Sequence, residues 1–160
     1  MPVTSKLNLQ SSYNNVSQSD ANGSTVDQFS LANFQQNFAS GTAASQVDRA
    51  FRDTTTLVST TKTYTLSALP GSIAMIKVRK LLIYVTSAIG SGATGILTFG
   101  SSNGWTNGIG GPITLLPGSI VLLTWPALAG AAVVSGSNDQ FKITSTGTLA
   151  YTLSIEGTSA

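Results

Sequence analysis

The chain contains no cysteine and no histidine. Disulfides, thiol catalysis, zinc–thiolate centres and imidazole general bases are therefore outside its chemistry. A Ser–His triad is excluded for the same reason. Charge is scarce too: charged residues make up 9% of the 160 positions, where an average soluble domain has about 25%. Hydroxyls take their place, with Ser and Thr at 43 positions. Free monomers rely on charge for solubility, so a polar but weakly charged surface suits a protein covered by partners. It suits a secreted β domain rich in Ser and Thr equally well. Hydrophobic residues reach 41%, enough for the core of one ordinary domain. The start, MPVTSKLNLQ, lacks the basic and apolar regions of a Sec signal peptide, and no lipidation signal ends the chain, so neither export signal nor lipid anchor is expected.

Long apolar runs are rare as well. One stretch, 113–134, has about the length of a membrane span. Pro117-Gly118 and Pro126 interrupt it, and its apolar pieces are short and β-branched. The expectation is two buried strands joined by turns, and no membrane partner.

The few charges are unevenly placed. Residues 1–45 have net charge −1, residues 46–80 carry +4, and residues 81–160 carry −1. Phosphate-driven nucleic-acid binding needs a dense basic patch. Only the central cluster approaches one, so nucleic acid is not an expected partner. The carboxylates Asp20, Asp27, Asp48, Asp53, Asp139 and Glu156 are scattered, with no spacing that suggests a catalytic pair. Ser–Lys chemistry has no motif here. SDANG at 19–23 has the start of a calcium loop without its later ligands or closing Glu. GSGATG at 90–95 is glycine-rich, yet no Lys-Ser/Thr follows, so it is no P-loop. The reading is a protein that is not an enzyme and uses no metal and no cofactor.

Two regions differ in composition. Residues 1–45 are polar, rich in Asn, Ser and Gln, and read as an extended N-terminal arm. Within or just after it, two short helices are predicted. Thr25 and Gln28 have capping-box spacing ahead of Phe29, Phe34 and Phe38. Ser45 is placed to cap a turn through Val47, Ala50 and Phe51, with Asp48 and Arg52 at i, i+4. Residues 46–160 then read as one β domain. Predicted strands cover 55–66, 74–86, 95–99, 113–115, 119–125, 131–134, 140–144 and 150–156, with Gly, Pro, Asn and Ser turns between them. Many short strands at this spacing indicate an antiparallel sandwich or barrel; the sandwich, of jelly-roll type, is the preferred form. FKITSTGTLAYTLSIEG is predicted to be a hairpin with Phe141, Ile143, Leu149, Tyr151, Leu153 and Ile155 towards the core. LPGSI occurs twice, at 69–73 and 116–120. Pro suits position i+1 of a type II turn and Gly the positive φ at i+2, so the repeat reads as one turn used twice, not a binding motif.

Three groups stand out as contacts. Phe29, Phe34 and Phe38 of the arm pack either in the core or in a groove on a partner. Lys77, Arg79 and Lys80 lie in MIKVRKLLIYV, where Lys77 and Arg79 share a strand face and Lys80 breaks the alternation, as at a bulge or strand end. That basic face is either solvated or an electrostatic contact to an acidic neighbour. Trp105, between Asn103 and Asn107 in SSNGWTNGIGG, either stacks on a sugar or anchors a subunit contact, or else folds back over one end of the sandwich. Trp125, in IVLLTWP, reads as core.

The polar arm, the small β domain free of Cys and His, and the terminal SNDQFKITSTGTLAYTLSIEGTSA together resemble small bacteriophage virion proteins, the capsid decoration or cement proteins above all. The resemblance covers most of the chain as a pattern. It implies a homo-oligomer, a trimer foremost, on the capsid exterior of the virion, bridging subunits of the major capsid protein or other virion parts, with no catalytic or cofactor residues. The second reading, from another class, is a carbohydrate- or receptor-binding module of a tail or fibre that uses the Trp105 loop.

Overall fold

The structure, a computed structural model, describes residues 4–9, 12–17, 25–30, 34–88, 90–100, 104–106, 111–127 and 129–160. Among the described residues it contains strands and no helix. They divide into two compact units, Ser5–Phe38 and a second that holds Ala39–Ala160. The unit boundary thus lies seven residues before the end of the predicted arm.

In the first unit, β1 (Ser5–Leu9) pairs antiparallel with β4 (Phe34–Ser40), and β2 (Ser12–Ser17) pairs antiparallel with β3 (Thr25–Ser30). The helix expected from Thr25 is therefore a strand. Pairing opposes Val26 to Val16 and Phe29 to Tyr13. Val26 and Phe29 are residue types of high β-propensity, which competes with the local capping signal. The last residues of β4 run into the second unit, where Ala39 and Ser40 pair in parallel with β5 (Gln46–Val47). The second expected helix is absent as well. Ser45 has φ +54°, a left-handed conformation, whereas an N-cap residue has extended dihedrals. Its neighbour Asp48 accepts bonds from the Ser159 amide at 2.9 Å and hydroxyl at 2.5 Å instead of starting a helical turn.

The remaining strands build a β-sandwich. They are β6 (Arg49–Val58), β7 (Thr61–Thr65), β8 (Lys77–Val85), β9 (Thr94–Thr98), β10 (Ile113–Leu115), β11 (Ile120–Thr124), β12 (Ala131–Ala132), β13 (Gln140–Thr146) and β14 (Thr148–Thr158). One sheet has the order β11-β8-β14-β6, with β12 also paired to β8; the other has the order β10-β9-β13-β7. All these pairs are antiparallel. Side chains alternate across each strand. Tyr64, Leu97, Leu115, Phe141 and Ile143 point inward from one sheet; Leu81, Ile83, Val85, Leu149, Tyr151, Leu153 and Ile155 point inward from the other, and together they form one buried core. The sheets approach closely: a Cβ on Gly95 of β9 would lie 2.5 Å from Leu149 Cδ2 of β14.

Two connections differ from expectation. Residues 55–66 are not one strand, because the chain turns at Ser59 (φ +46°) and passes from β6 in one sheet to β7 in the other. Likewise β13 and β14 are not a paired hairpin. The chain turns at Gly147 (φ +75°) and the two strands join different sheets. All six apolar residues predicted to face the core do so, but from opposite sides of it. A one-sheet hairpin and a corner between sheets share the same alternation, so the pattern alone does not separate them.

The apolar stretch 113–134 holds β10, β11 and β12, not a helix, and no helix among the described residues is long and apolar enough to cross a membrane. The two LPGSI copies close differently. The second is a turn with Gly118 at φ +80° and the Ser119 amide bonded to the Leu116 carbonyl at 2.9 Å, as a type II turn requires. The first is one residue longer. Leu69 and Ile73 exchange two backbone bonds, and Ser72 joins Gly71 at positive φ.

Candidate functional site

The outer face of the β11-β8-β14-β6 sheet carries a groove. Register places Arg52, Ser154, Leu82 and Leu122 in one row across the four strands. Thr54, Thr152, Tyr84 and Ile120 form the next row. Arg52, Leu82, Tyr84, Thr86, Thr152 and Ser154 line a groove of ≈ 530 Å³, within the range of small-ligand sites. Tyr84 is 45% exposed and Ile120 60% exposed. Sequence reasoning passed over this site. Its signal is LLIYV, which is apolar on both faces of β8. Leu81, Ile83 and Val85 fill the core, which leaves Leu82 and Tyr84 apolar on the outside.

The basic cluster is not a solvated face. Lys77 is half-buried, while Arg79 and Lys80 are buried. Opposite Lys80 and Val78, β14 presents Glu156 and the next residue, Gly157, so Arg79 is the extra residue of a bulge. The predicted break in alternation is real, and it turns Arg79 away from solvent. Its guanidinium donates to the Ala127 carbonyl, to the Trp125 carbonyl at 3.5 Å and to the Ala43 carbonyl at 3.3 Å. Lys80 Nζ lies 2.5 Å from Glu156 Oε1. Arg79 and Lys80 thus hold loops and strands of their own chain, and the proposed contact to an acidic neighbour through them is withdrawn. Buried cations are retained only when paired and hydrogen-bonded.

Trp105 is fully buried, so it offers no platform to a sugar or a subunit. Its indole N–H donates to the Ala132 carbonyl at 2.9 Å, and its amide donates to the Gln140 carbonyl at 2.6 Å. Its ring makes edge contacts with Phe99 and Trp125, with centroids 5.9 and 5.2 Å away. Burial of the ring with its N–H satisfied is the lower free-energy arrangement. The expected ligand-contact role of Trp105 is therefore corrected; it closes the core. Trp125 packs half-buried against that core. Asn103 and Asn107 lie outside the described residues. In the arm, Phe29 lies in β3 opposite Tyr13, Phe34 starts β4 opposite Leu9, and Phe38, opposite Ser5, is buried.

A second polar group, also missed from sequence, lies between the sheets. Asp53 Oδ2 accepts from Lys62 Nζ at 2.6 Å and from the Tyr64 hydroxyl at 2.5 Å. The Tyr64 and Tyr151 hydroxyls are 2.8 Å apart, and with the Tyr64 proton given to Asp53, Tyr151 is the donor. Burial alone would raise the Asp53 pKa; the bonds from Lys62 and Tyr64 and the ammonium charge outweigh it and hold the carboxyl below its usual value. Burial, with the bond to Asp53, raises Tyr64 far above the usual phenol range. Burial raises Tyr151 to about 12. Both phenols stay protonated at neutral pH, so neither is a nucleophile or base there. The network fastens β6 and β7 to β14. Among the described residues, no group of three or more Asp or Glu is placed to hold a metal ion.

The chain matches no protein-family model, no curated protein and no solved structure.

Proposed function

We propose that the chain is a non-enzymatic structural protein of a bacteriophage virion, a capsid decoration (cement) protein built on a jelly roll and acting as a homo-oligomer, a trimer foremost. The observation that carries this reading is the strand order. Numbering the eight longer sandwich strands from β6 to β14 as 1 to 8 gives sheets 1-8-3-6 and 2-7-4-5. That order arises when the ladder of pairs 1–8, 2–7, 3–6 and 4–5 wraps into two Greek keys, the jelly roll found in viral capsid and lectin domains.

A fold hosts many functions, so the surface has to supply the rest. Outside the groove, Val58, Ile76, Ile96, Leu116 and Val134 are large, apolar and exposed on a chain with only 14 charged residues. Exposed apolar surface with little charge favours subunit contacts. The Ser5–Phe38 unit supports the same role. It consists of antiparallel strand pairs, and two-stranded ribbons are marginal in water without a surface to pack on. In this reading the ribbon clasps a neighbouring subunit and the sandwich faces the major capsid protein.

Light scattering after gel filtration of the full chain and of residues 39–160 tests the proposal. A trimer or larger species is expected for the full chain, with a lower mass once the ribbon is removed. A monodisperse monomer in both forms would refute self-assembly.

A further inference from the structure

The groove over Leu82 and Tyr84 has a definite chemical character. Its floor is apolar: Leu82 and the exposed ring of Tyr84, flanked on β11 by Leu122 and Ile120. Its wall is made of hydroxyls, those of Thr86, Thr152 and Ser154, each able to donate and accept. Among the described residues its one charged lining residue is Arg52, and no carboxylate lines it. Arg52 takes no part in the ion pairs found among the described residues, which join Arg49 to Asp48, Lys62 to Asp53 and Lys80 to Glu156. Asp53, its chain neighbour, points to the other side of β6 and is held by Lys62 and Tyr64.

Each part selects against some ligands. One guanidinium without a carboxylate disfavours cations. A single cation is too few for a nucleic-acid backbone, which needs several phosphate contacts. An aromatic face ringed by hydroxyls suits a molecule with a C–H face and many hydroxyls of its own. The guanidinium fork matches a carboxylate in bidentate geometry. We propose that this groove binds an acidic saccharide, with the sugar's apolar face on Tyr84, its hydroxyls on Thr86, Thr152 and Ser154, and its carboxylate on Arg52. The site does not depend on the assembly role. A monomer that binds such sugars retains it, and an oligomer that binds none loses it.

The test is a calorimetric and saturation-transfer NMR titration of the full chain with 3′-sialyllactose against lactose, and with trigalacturonate against galactotriose. At least one acidic sugar should bind about tenfold more tightly than its neutral counterpart, since charge-assisted hydrogen bonds are roughly twice as strong as neutral ones. Arg52→Gln should remove that preference while weak neutral binding remains, and Arg52→Lys should restore it only in part. Tyr84→Ala should abolish binding of all four sugars, with Tyr84→Phe retaining it. An unchanged thermal midpoint shows that each variant is folded. Failure of all four sugars to bind at millimolar concentration overturns the proposal. So does neutral binding as tight as acidic, or binding indifferent to both Arg52 and Tyr84.

Discussion

The two outer faces of the sandwich share one architecture and differ in chemistry. On the β11-β8-β14-β6 sheet the rows read Arg52-Ser154-Leu82-Leu122 and Thr54-Thr152-Tyr84-Ile120, beside the buried Lys80–Glu156 pair. On the β10-β9-β13-β7 sheet they read Thr63-Lys142-Thr98 and Thr61-Thr144-Ile96-Thr114, with Thr65, Gln140, Thr94 and Thr146 around them. Hydroxyls there bond to each other across strands: Thr61 to Thr144 at 2.9 Å, and Thr94 to Thr146. Threonine supports a strand through its β-branched side chain and wets the surface without charge. The second face is therefore built to be a stable exterior with Lys142 as the one charge in these rows. The first carries apolar side chains, a free guanidinium and a groove, features a sheet does not need for its own stability.

The largest contrast should appear on removing one charged side chain from each face. Glu156→Ala leaves Lys80, only 6% exposed, without its carboxylate and should cost about 3–5 kcal/mol. Lys142→Ala on the other face should change stability by less than about 0.5 kcal/mol. Urea unfolding midpoints measure both, and equal effects would erase the distinction between the faces.

Next comes the network that lies beneath both. Asp53→Ala strips the Tyr64 hydroxyl of its acceptor and should cost about 1–3 kcal/mol, towards the low end because Asp53 is partly exposed. The sign of its pH dependence follows from the shifts. The lowered Asp53 pKa contributes stability above the ordinary carboxyl pKa of 3.8, lost as pH falls through the lower folded value. The raised Tyr151 pKa contributes stability that is complete below pH 10.0 and lost as pH climbs towards about 12. Thermal midpoints of the wild-type chain should therefore drop at both extremes, and Asp53→Asn should flatten the acid limb.

Smaller still, the paired change Thr61→Val with Thr144→Val removes one hydroxyl bond from the threonine face. It should cost no more than about 1 kcal/mol by chemical denaturation. Tyr84→Ala should be the mildest for stability, within about 0.5 kcal/mol. A large loss there would mean that Tyr84 is structural and the first face is no more specialised than the second.

These contrasts also separate what the sequence discloses from what it conceals. Alternation in FKITSTGTLAYTLSIEG marks each core residue correctly, because inward and outward positions repeat every two residues whatever sheet a strand joins. Sheet membership is decided by turns such as Ser59 and Gly147, and a glycine or serine between strands serves a corner as well as a hairpin. The Thr25 capping signal is local and is overruled by pairing partners near residue 16. Arg79 and Lys80 look solvated in one dimension because the bulge and Glu156, some 76 residues away from Lys80, are invisible there. Trp105 sits among glycines and asparagines, yet its neighbours in space are Phe99 and Trp125. The groove is legible only in retrospect, from the outward half of LLIYV.

The placement of β14 has a consequence for how the chain comes to be folded. The final sandwich strand in sequence lies inside its sheet, between β8 and β6, and holds β6 from Val58 to Arg49. The first long strand of the sandwich thus waits on the last for its only neighbour in that sheet among the described residues. On the ribosome, β6 has no in-sheet partner until β14 emerges, so closure of the sandwich is a late, long-range event of the slow kind. Until then the ten residues of β6 lack a partner on either edge, and its sparing use of apolar side chains, with Arg49, Arg52, Asp53 and three threonines in a row, is of the kind that disfavours pairing with another copy.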